Sequence, residues 1–285
     1  MAPVVLVTDS TADIPPETRQ RLGIEMVPLK VNFGSESYLD NVEITPEEFY
    51  RKLKSSPVLP TSSQPTPNDF YEVFKKCLDA GKAVVSVHLS SAMSGTYQSA
   101  VIARDMFDEG ADITVIDSRS ASYGYGLMVV HAAEMAARGA SKDEIVAEIM
   151  RLRKEMKLYF LVDTLEYLQK GGRIGKAAAL FGSLLNIKPI LTIDDEGYVT
   201  PLEKVRGQKR AISRIAELIE QEFGQKPVNL YVALTPGHEE TARELIAILK
   251  SRFNIQNYME TAIGPVIGTH AGPGTVGVFV LSAEA

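Results

Sequence analysis

Cysteine is nearly missing from this chain of 285 residues: Cys77 stands alone, so neither a disulfide framework nor a Cys-x-x-Cys metal or redox site can form. Positive charge is also short. Lys and Arg number 30 against 36 Asp and Glu, a net charge of -6, which argues against a broad nucleic-acid or anionic-membrane surface, since both require clustered cations. No apolar run approaches the ~20 residues of a membrane span, so stable membrane insertion is not expected. A P-loop, a dinucleotide fingerprint and an HExxH helix are all absent. The four histidines, His88, His131, His238 and His270, lack the close spacing of a zinc site. Met1 to Asp9 reads as a strand with no basic leader, so the cytoplasm is the expected compartment. What remains is an ordinary globular composition, 45% hydrophobic and 23% charged, sufficient for a large core.

Val4 to Thr8 is a short apolar run closed by Asp9-Ser10-Thr11-Ala12-Asp13-Ile14-Pro15-Pro16, the pattern of a buried strand feeding a helix. Ile24 to Phe33 reads as one further strand, and Thr45-Pro46-Glu47-Glu48 as a helix start. Pro60 to Pro67 is too rich in proline for regular structure. A helix follows from Asn68, with Cys77 a half-buried or buried thiol in it. Strands at Ala83–Leu89 and Ile113–Asp117 alternate with helices at Tyr97–Arg104, Tyr125–Ala137 and Ser141–Lys154. Such alternation predicts an α/β fold with a mostly parallel sheet covered on both faces. Beyond about residue 155 the pattern changes. A strand at Tyr159–Val162, a short helix at Thr164–Lys170 and a hairpin over Ile190–Val205 precede strand Val228–Leu234, helix Glu239–Phe253 and strands near Tyr258–Ile263 and Gly277–Leu281. Asp194-Asp195-Glu196-Gly197 reads as a solvated hairpin tip. The expected division is two α/β lobes, residues 1–157 with the mostly parallel sheet and residues 158–285 with a mixed one.

The informative loops are rich in hydroxyls. Ser90-Ser91-Ala92-Met93-Ser94-Gly95-Thr96 lies between a strand and a helix, where unpaired amides and the helix dipole favour an anion. No Lys or Arg occurs from Ala83 to Ala103, so a bound anion would be held by neutral donors: Ser91, Ser94, Thr96 and backbone amides. The same loop also suits a plain helix cap. Thr61 to Pro67 and Gly268 to Thr275, the latter carrying His270, are similar in character, and in an open parallel sheet such loops converge beyond the strand ends. In Tyr167 to Lys176 a double-glycine bend carries Arg173, suited either to a two-pronged grip on phosphate or to a solvated helix end. Ser94, His270 and an acid such as Asp9 could make a nucleophilic triad, although Ala92-Met93-Ser94-Gly95 lacks the first glycine of a G-x-S-x-G elbow.

Five segments, Val7-Thr8-Asp9-Ser10-Thr11-Ala12-Asp13, Ser62-Ser63-Gln64-Pro65-Thr66-Pro67, Leu89 to Gln98, Gly171-Gly172-Arg173-Ile174 and Gly268-Thr269-His270, resemble the DegV family, in order and over essentially the whole chain. Ser-Gly-Thr-Tyr-Gln and Gly-Gly-Arg-Ile are the most specific blocks. The resemblance implies a non-catalytic protein of two α/β lobes, holding one long-chain fatty acid in a buried tunnel at their junction. No cofactor or metal is implied. Some members present the acid to a separate fatty acid kinase that phosphorylates its carboxyl group. Carried over, the carboxylate contacts are Ser62, Ser94, Gly95 and His270, with Arg173 serving the kinase partnership. Ser62 stands where the family usually has Thr, and Thr61 lies one place earlier, so either hydroxyl fits. The alternative function is a serine-dependent acyl hydrolase using Ser94 and His270. Leu180 to Ile187 is a candidate tunnel wall.

Overall fold

Strand β1 (Val4–Asp9) is buried along nearly its whole length, the mark of a parallel strand covered on both faces. The computed structural model describes residues 2–182 and 187–283. After a 3-10 turn, Ser10–Ala12, proline at the first helical position starts α1 (Pro16–Leu22), where its missing amide costs no hydrogen bond. β2 (Glu25–Val27) returns parallel to β1. The single strand expected over residues 24–33 is in fact two, because Pro28 cannot donate to a ladder. β3 (Lys30–Phe33) leaves the first sheet and pairs antiparallel with β4 (Glu36–Leu39) and, after α2 (Pro46–Ser55), with β5 (Thr61–Ser63). Regular structure was not expected around Thr61, yet the prolines flank β5 and do not interrupt it.

Both α2 and α3 (Pro67–Asp79) begin with a capping box, Thr45 with Glu48 and Thr66 with Asp69, which satisfies two otherwise orphan amides at each end. Cys77 is buried in α3. β6 (Ala83–His88), α4 (Thr96–Arg104) and β7 (Ile113–Asp117) complete a four-stranded parallel sheet of order β2-β1-β6-β7. α5 (Tyr123–Ala137) and α6 (Lys142–Glu155) follow.

The remaining chain forms β8 (Lys157–Leu161), α7 (Glu166–Lys170), the hairpin β9 (Ile187–Ile193) and β10 (Val199–Arg206), and α8 (Gln208–Phe223). β11 (Val228–Leu234), α9 (Glu240–Arg252), β12 (Ile255–Ala262), α10 (Pro265–Ala271) and β13 (Val276–Ser282) complete it. Its six-stranded sheet, order β10-β9-β8-β13-β11-β12, is mixed: β11 and β12 run parallel and the other pairs antiparallel. Two helices differ from expectation. α8 occupies a stretch to which sequence reading assigned no element, and α10 turns the first half of the Gly268–Thr275 loop into helix.

The helix α5 joins the two large sheets. Apolar on nearly every side, it packs in one continuous core with Leu6, Val85 and Val87 of the parallel sheet and with Ala233, Phe279 and Leu281 of the mixed sheet, as expected of a fully buried helix. Glycines permit this fit. A β-carbon at Gly124 would come within 2.5 Å of the Phe279 ring, and one at Gly126 within 2.2 Å of the Ala12 carbonyl oxygen.

Candidate functional site

Between the sheets lies a cavity of about 110 Å³, counted as the space open to the centre of a water-sized sphere. Its walls are mostly apolar, among them Leu89, Met93, Leu158, Phe160, Val199 and Phe279. Six polar residues also face it: Ser62, Ser94, Ser122, Arg173, His270 and Thr275. The last two hydroxyls of this set by position are already engaged with protein, Ser122 with Asp13 and Thr275 with the Ala271 and Gly272 carbonyls; excluding them leaves Ser62, Ser94, His270 and Arg173 as the groups available to a ligand.

These four come from separate elements and meet. Ser62 sits on β5, and its Oγ lies 2.8 Å from Nε2 of His270 in the last turn of α10. Thr61, its neighbour, is exposed and absent from the lining, because successive residues of a strand face opposite sides. His270 is half-buried beside the positive charge of Arg173; loss of solvent around the ring and that charge push its pKa down to about 4, so the ring is neutral at pH 7. Its Nδ1 has no hydrogen-bond partner and packs against Gly171, where a β-carbon would fall 2.3 Å away. A buried orphan N–H is rarer and costlier than a buried orphan acceptor, which assigns the proton to Nε2 and makes it the donor to Ser62. The Ser62 hydroxyl proton is then free.

Ser94 stands in a similar position. Its Oγ accepts from the Thr96 amide at 3.2 Å and lies 2.8 Å from the Thr96 hydroxyl. Thr96 is fully buried, so a bond donated by its hydroxyl to Ser94 satisfies it and leaves the Ser94 proton free for the cavity. Gly95, the N-cap of α4, lets this loop approach Gln64: a β-carbon there would lie 2.3 Å from Gln64 Oε1. Arg173 is exposed on the surface side, its Nε donating to the Met93 carbonyl at 3.0 Å and its Nη1 to the Gly171 carbonyl at 2.7 Å. It therefore ties the Met93-Ser94 loop to the bend below His270.

Other expected roles are corrected. Ser91 does not face the cavity; its hydroxyl and amide both bind Asp117, at 2.5 and 3.2 Å. The Ser94–His270–Asp9 triad is not assembled. Asp9 belongs to a different relay, with Ser86 Oγ 2.6 Å from His88 Nε2 and His88 Nδ1 3.0 Å from Asp9 Oδ2. All three are fully buried and absent from the cavity lining, so this Ser–His–Asp constellation lies out of reach of any substrate there. Burial opposes charge on Asp9, but bonds from His88, Thr11 and Tyr125 outweigh it and hold the carboxyl below its ordinary value. Asp9 also accepts from the Leu89 amide, which fixes the end of β6 where the Ser90 loop begins. Of the candidate wall at Leu180 to Ile187, residues 183–186 lie outside the described residues. Among the described residues no three His, Cys, Asp or Glu side chains group as metal ligands, and no helix is long and apolar enough to cross a membrane.

Fold and site define an α/β protein of two large sheets and one small one that encloses an apolar cavity with a small set of neutral and cationic donors. The chain belongs to the DegV family, whose model, described as an uncharacterised protein of the DegV family, matches residues 3–283. It is 42% identical over 282 residues to a DegV domain-containing protein of Caldanaerobacter subterraneus, covering 98% of this chain and 99% of that one. Identity to protein DegV of Bacillus subtilis is 38%, over 96% of this chain and 98% of the relative. Among solved structures it is similar to a DegV family protein from Thermus thermophilus described for its fatty acid binding, with a TM-score of 0.91 and 40% identity over 99% and 100% of the two chains. The structure of Bacillus subtilis DegV, described as a fatty acid binding protein, gives a TM-score of 0.89 and 36% identity over 99% and 100%.

Proposed function

We propose that this protein binds one long-chain fatty acid, tail in the apolar cavity and carboxylate on the hydroxyls of Ser62 and Ser94, without catalysing a reaction itself. The observation that carries the reading is the pairing of Ser62 with a neutral His270 at the edge of an otherwise apolar cavity. A hydroxyl whose oxygen already accepts from a fixed donor has its own proton to give, and a carboxylate is an acceptor with no proton to offer. Gly95 contributes by keeping the Ser94 loop close to the Gln64 segment, and Thr61, on the outer face of β5, is not part of the contact.

Energetics favour a division of labour. Burying about fifteen methylene and methyl groups is worth roughly 12 kcal/mol gross at about 0.8 kcal/mol each, before the cost of association. Each hydrogen bond to the charged head adds about 1.5 to 3 kcal/mol. The tail thus supplies affinity while the head-group donors select for an acid. A hydrolase reading has less support, since among the described residues no carboxylate is hydrogen-bonded to His270 to orient it as a base. Arg173, exposed beside the head-group donors, suits presentation of the acid to a kinase in the cytoplasm.

Native mass spectrometry of the protein purified from bacteria should reveal a bound lipid mass released on denaturation. Ser62→Ala together with Ser94→Ala should weaken palmitate binding by tenfold or more. Protein that is free of lipid and takes up no palmitate in solution would overturn the reading.

A further inference from the structure

Asp13 lies outside the cavity lining yet bonds both to Ser122, which lines it, and to Gly264, where a lining helix begins. It is 6% exposed and, at φ 50°, occupies the left-handed region that few residues other than glycine, asparagine and aspartate adopt. Its Oδ2 is 2.5 Å from the Ser122 hydroxyl, its Oδ1 accepts from the Gly264 amide at 3.0 Å, and its carbonyl accepts from the Thr261 hydroxyl at 2.9 Å. Ser122, at φ 53°, is likewise left-handed and lines the cavity. Gly264 is the N-cap of α10, the helix that contributes Val266, Ile267, His270 and Ala271 to the lining. Ser122, at φ 53° and ψ −149°, is the strained member of this pair, and such strain persists only where the surroundings hold it.

The contact leaves no slack. A β-carbon on Gly264 would fall 2.4 Å from Asp13 Oδ1 and 2.8 Å from Asn41 Nδ2. Asp40, also buried, lies near the Val266 amide, and the Gly264 amide at the start of α10 is taken up by the Asp13 carboxyl, where a helix end otherwise leaves its first amides orphaned. Farther along, Gly268 abuts the Tyr50 hydroxyl. α10 is thereby fixed at its start by Asp13 and packed along its length. His270 sits at its other end.

We propose that Asp13 is a positioning residue for the head-group end of the cavity: it clamps Ser122 to the start of α10 and so sets where His270 stands against Ser62. For its ligand consequence this rests on the fatty-acid reading above; for the placement of His270 it does not. Burial, with Asp40 and Asp9 nearby, raises the Asp13 carboxyl well above its ordinary range against the pull of Ser122 and Gly264. Ser122 donates to Oδ2 and Gly264 to Oδ1; asparagine keeps an acceptor for Gly264, and its amide can donate to the Ser122 hydroxyl oxygen instead.

The test compares Asp13→Ala, Asp13→Asn and Gly264→Ala by two readouts: the imidazole ¹⁵N resonances of ligand-free protein, with His88, His131 and His238 as controls, and the ratio of palmitate to methyl palmitate affinity. Asp13→Ala should shift the His270 resonances, raise its pKa from about 4 toward 6.5, and cut the preference for acid over ester at least tenfold. Asp13→Asn should restore most of both, and Gly264→Ala, which pushes on the same contact from the other side, should reproduce the loss. A folded Asp13→Ala with unchanged His270 resonances, or an Asp13→Asn as damaged as the alanine variant, would overturn the assignment. Should Asp13→Ala fail to fold, unchanged His270 resonances in Gly264→Ala would overturn it equally. A wild-type protein indifferent to acid or ester would remove the fatty-acid reading alone, and the resonances would still decide Asp13.

Discussion

Asp9, Asp13 and Asp40 are all buried, and their surroundings pull the same side chain in opposite directions, Asp9 below its ordinary pKa and Asp13 and Asp40 above it. Asp9 has a histidine, a threonine and a tyrosine donating to it and stays charged. Asp40 has less support: burial pushes its pKa up to about 7, with the Ser10 hydroxyl, the Val266 amide and Arg19 working against the rise and Asp9 adding to it. An acid whose folded pKa lies above its unfolded value binds more protons when folded, so its contribution to stability falls as pH rises from about 4 through 7 and then levels off. The slope is on the order of 1 kcal/mol per pH unit. His270 acts in the opposite sense, losing stability as pH falls from 6.5 toward about 4. The difference between wild type and Asp40→Asn isolates the first effect: between pH 5 and pH 8 the wild-type urea midpoint should drop more than that of the variant. Equal drops would show that Asp40 ionises freely in the folded protein.

Elements carry the site because of how closely they pass. α5 is a helix with glycine at two of its first four positions, Gly124 and Gly126, each costing about 1 kcal/mol of helix propensity relative to alanine. The cost is offset by fit, since a side chain at Gly126 would strike the backbone carbonyl of Ala12. Gly126→Ala should therefore destabilise by about 1 to 3 kcal/mol, the range of core overpacking, whereas Gly110→Ala, with nothing within 4 Å of the added carbon, should change stability by less than about 0.5 kcal/mol. Urea unfolding decides it, and a neutral Gly126→Ala would show that α5 can shift between the sheets. At this scale the sequence was legible wherever period and caps agreed. α3 and α6 announce themselves through Thr66-Asp69 and Ser141-Glu144. α8 carried an equally good signal in Ala211, Ile212, Ile215, Ala216 and Ile219, all buried. The β3-β4-β5 sheet carried almost none: Thr61-Ser62-Ser63 is polar, short and flanked by proline, and it becomes a strand only because β3, some thirty positions earlier, supplies its partner.

Across the whole molecule, the sequence exposed the hydroxyl, glycine and proline loops but not their mutual distances. Ser62, Ser94, His270 and Arg173 were nameable because each sits beside turn-forming residues. That Ser91 turns to Asp117 instead, and that Asp9 serves His88, depends on pairings 26 and 79 residues apart, which no local pattern encodes. The assembled molecule places its donors asymmetrically. His270 and Ser62 are both half-buried, while Arg173 lies on the exposed side and still reaches the Met93 carbonyl beside Ser94. A ligand head group held there would have its tail among apolar walls and one flank toward the surface, the geometry needed if a second protein is to act on the carboxyl without extracting the chain. On that proposal Arg173 would be a point of contact with the second protein more than an anchor for the acid, whose carboxylate would take hydrogen bonds from hydroxyls. Arg173→Ala should lower palmitate affinity by no more than a few-fold, yet abolish acyl phosphate formation by the cognate fatty acid kinase. Paired measurement of palmitate binding and acyl phosphate yield tests this: a parallel loss of both would place Arg173 among the ligand's own contacts and take away the surface at which presentation is proposed to occur.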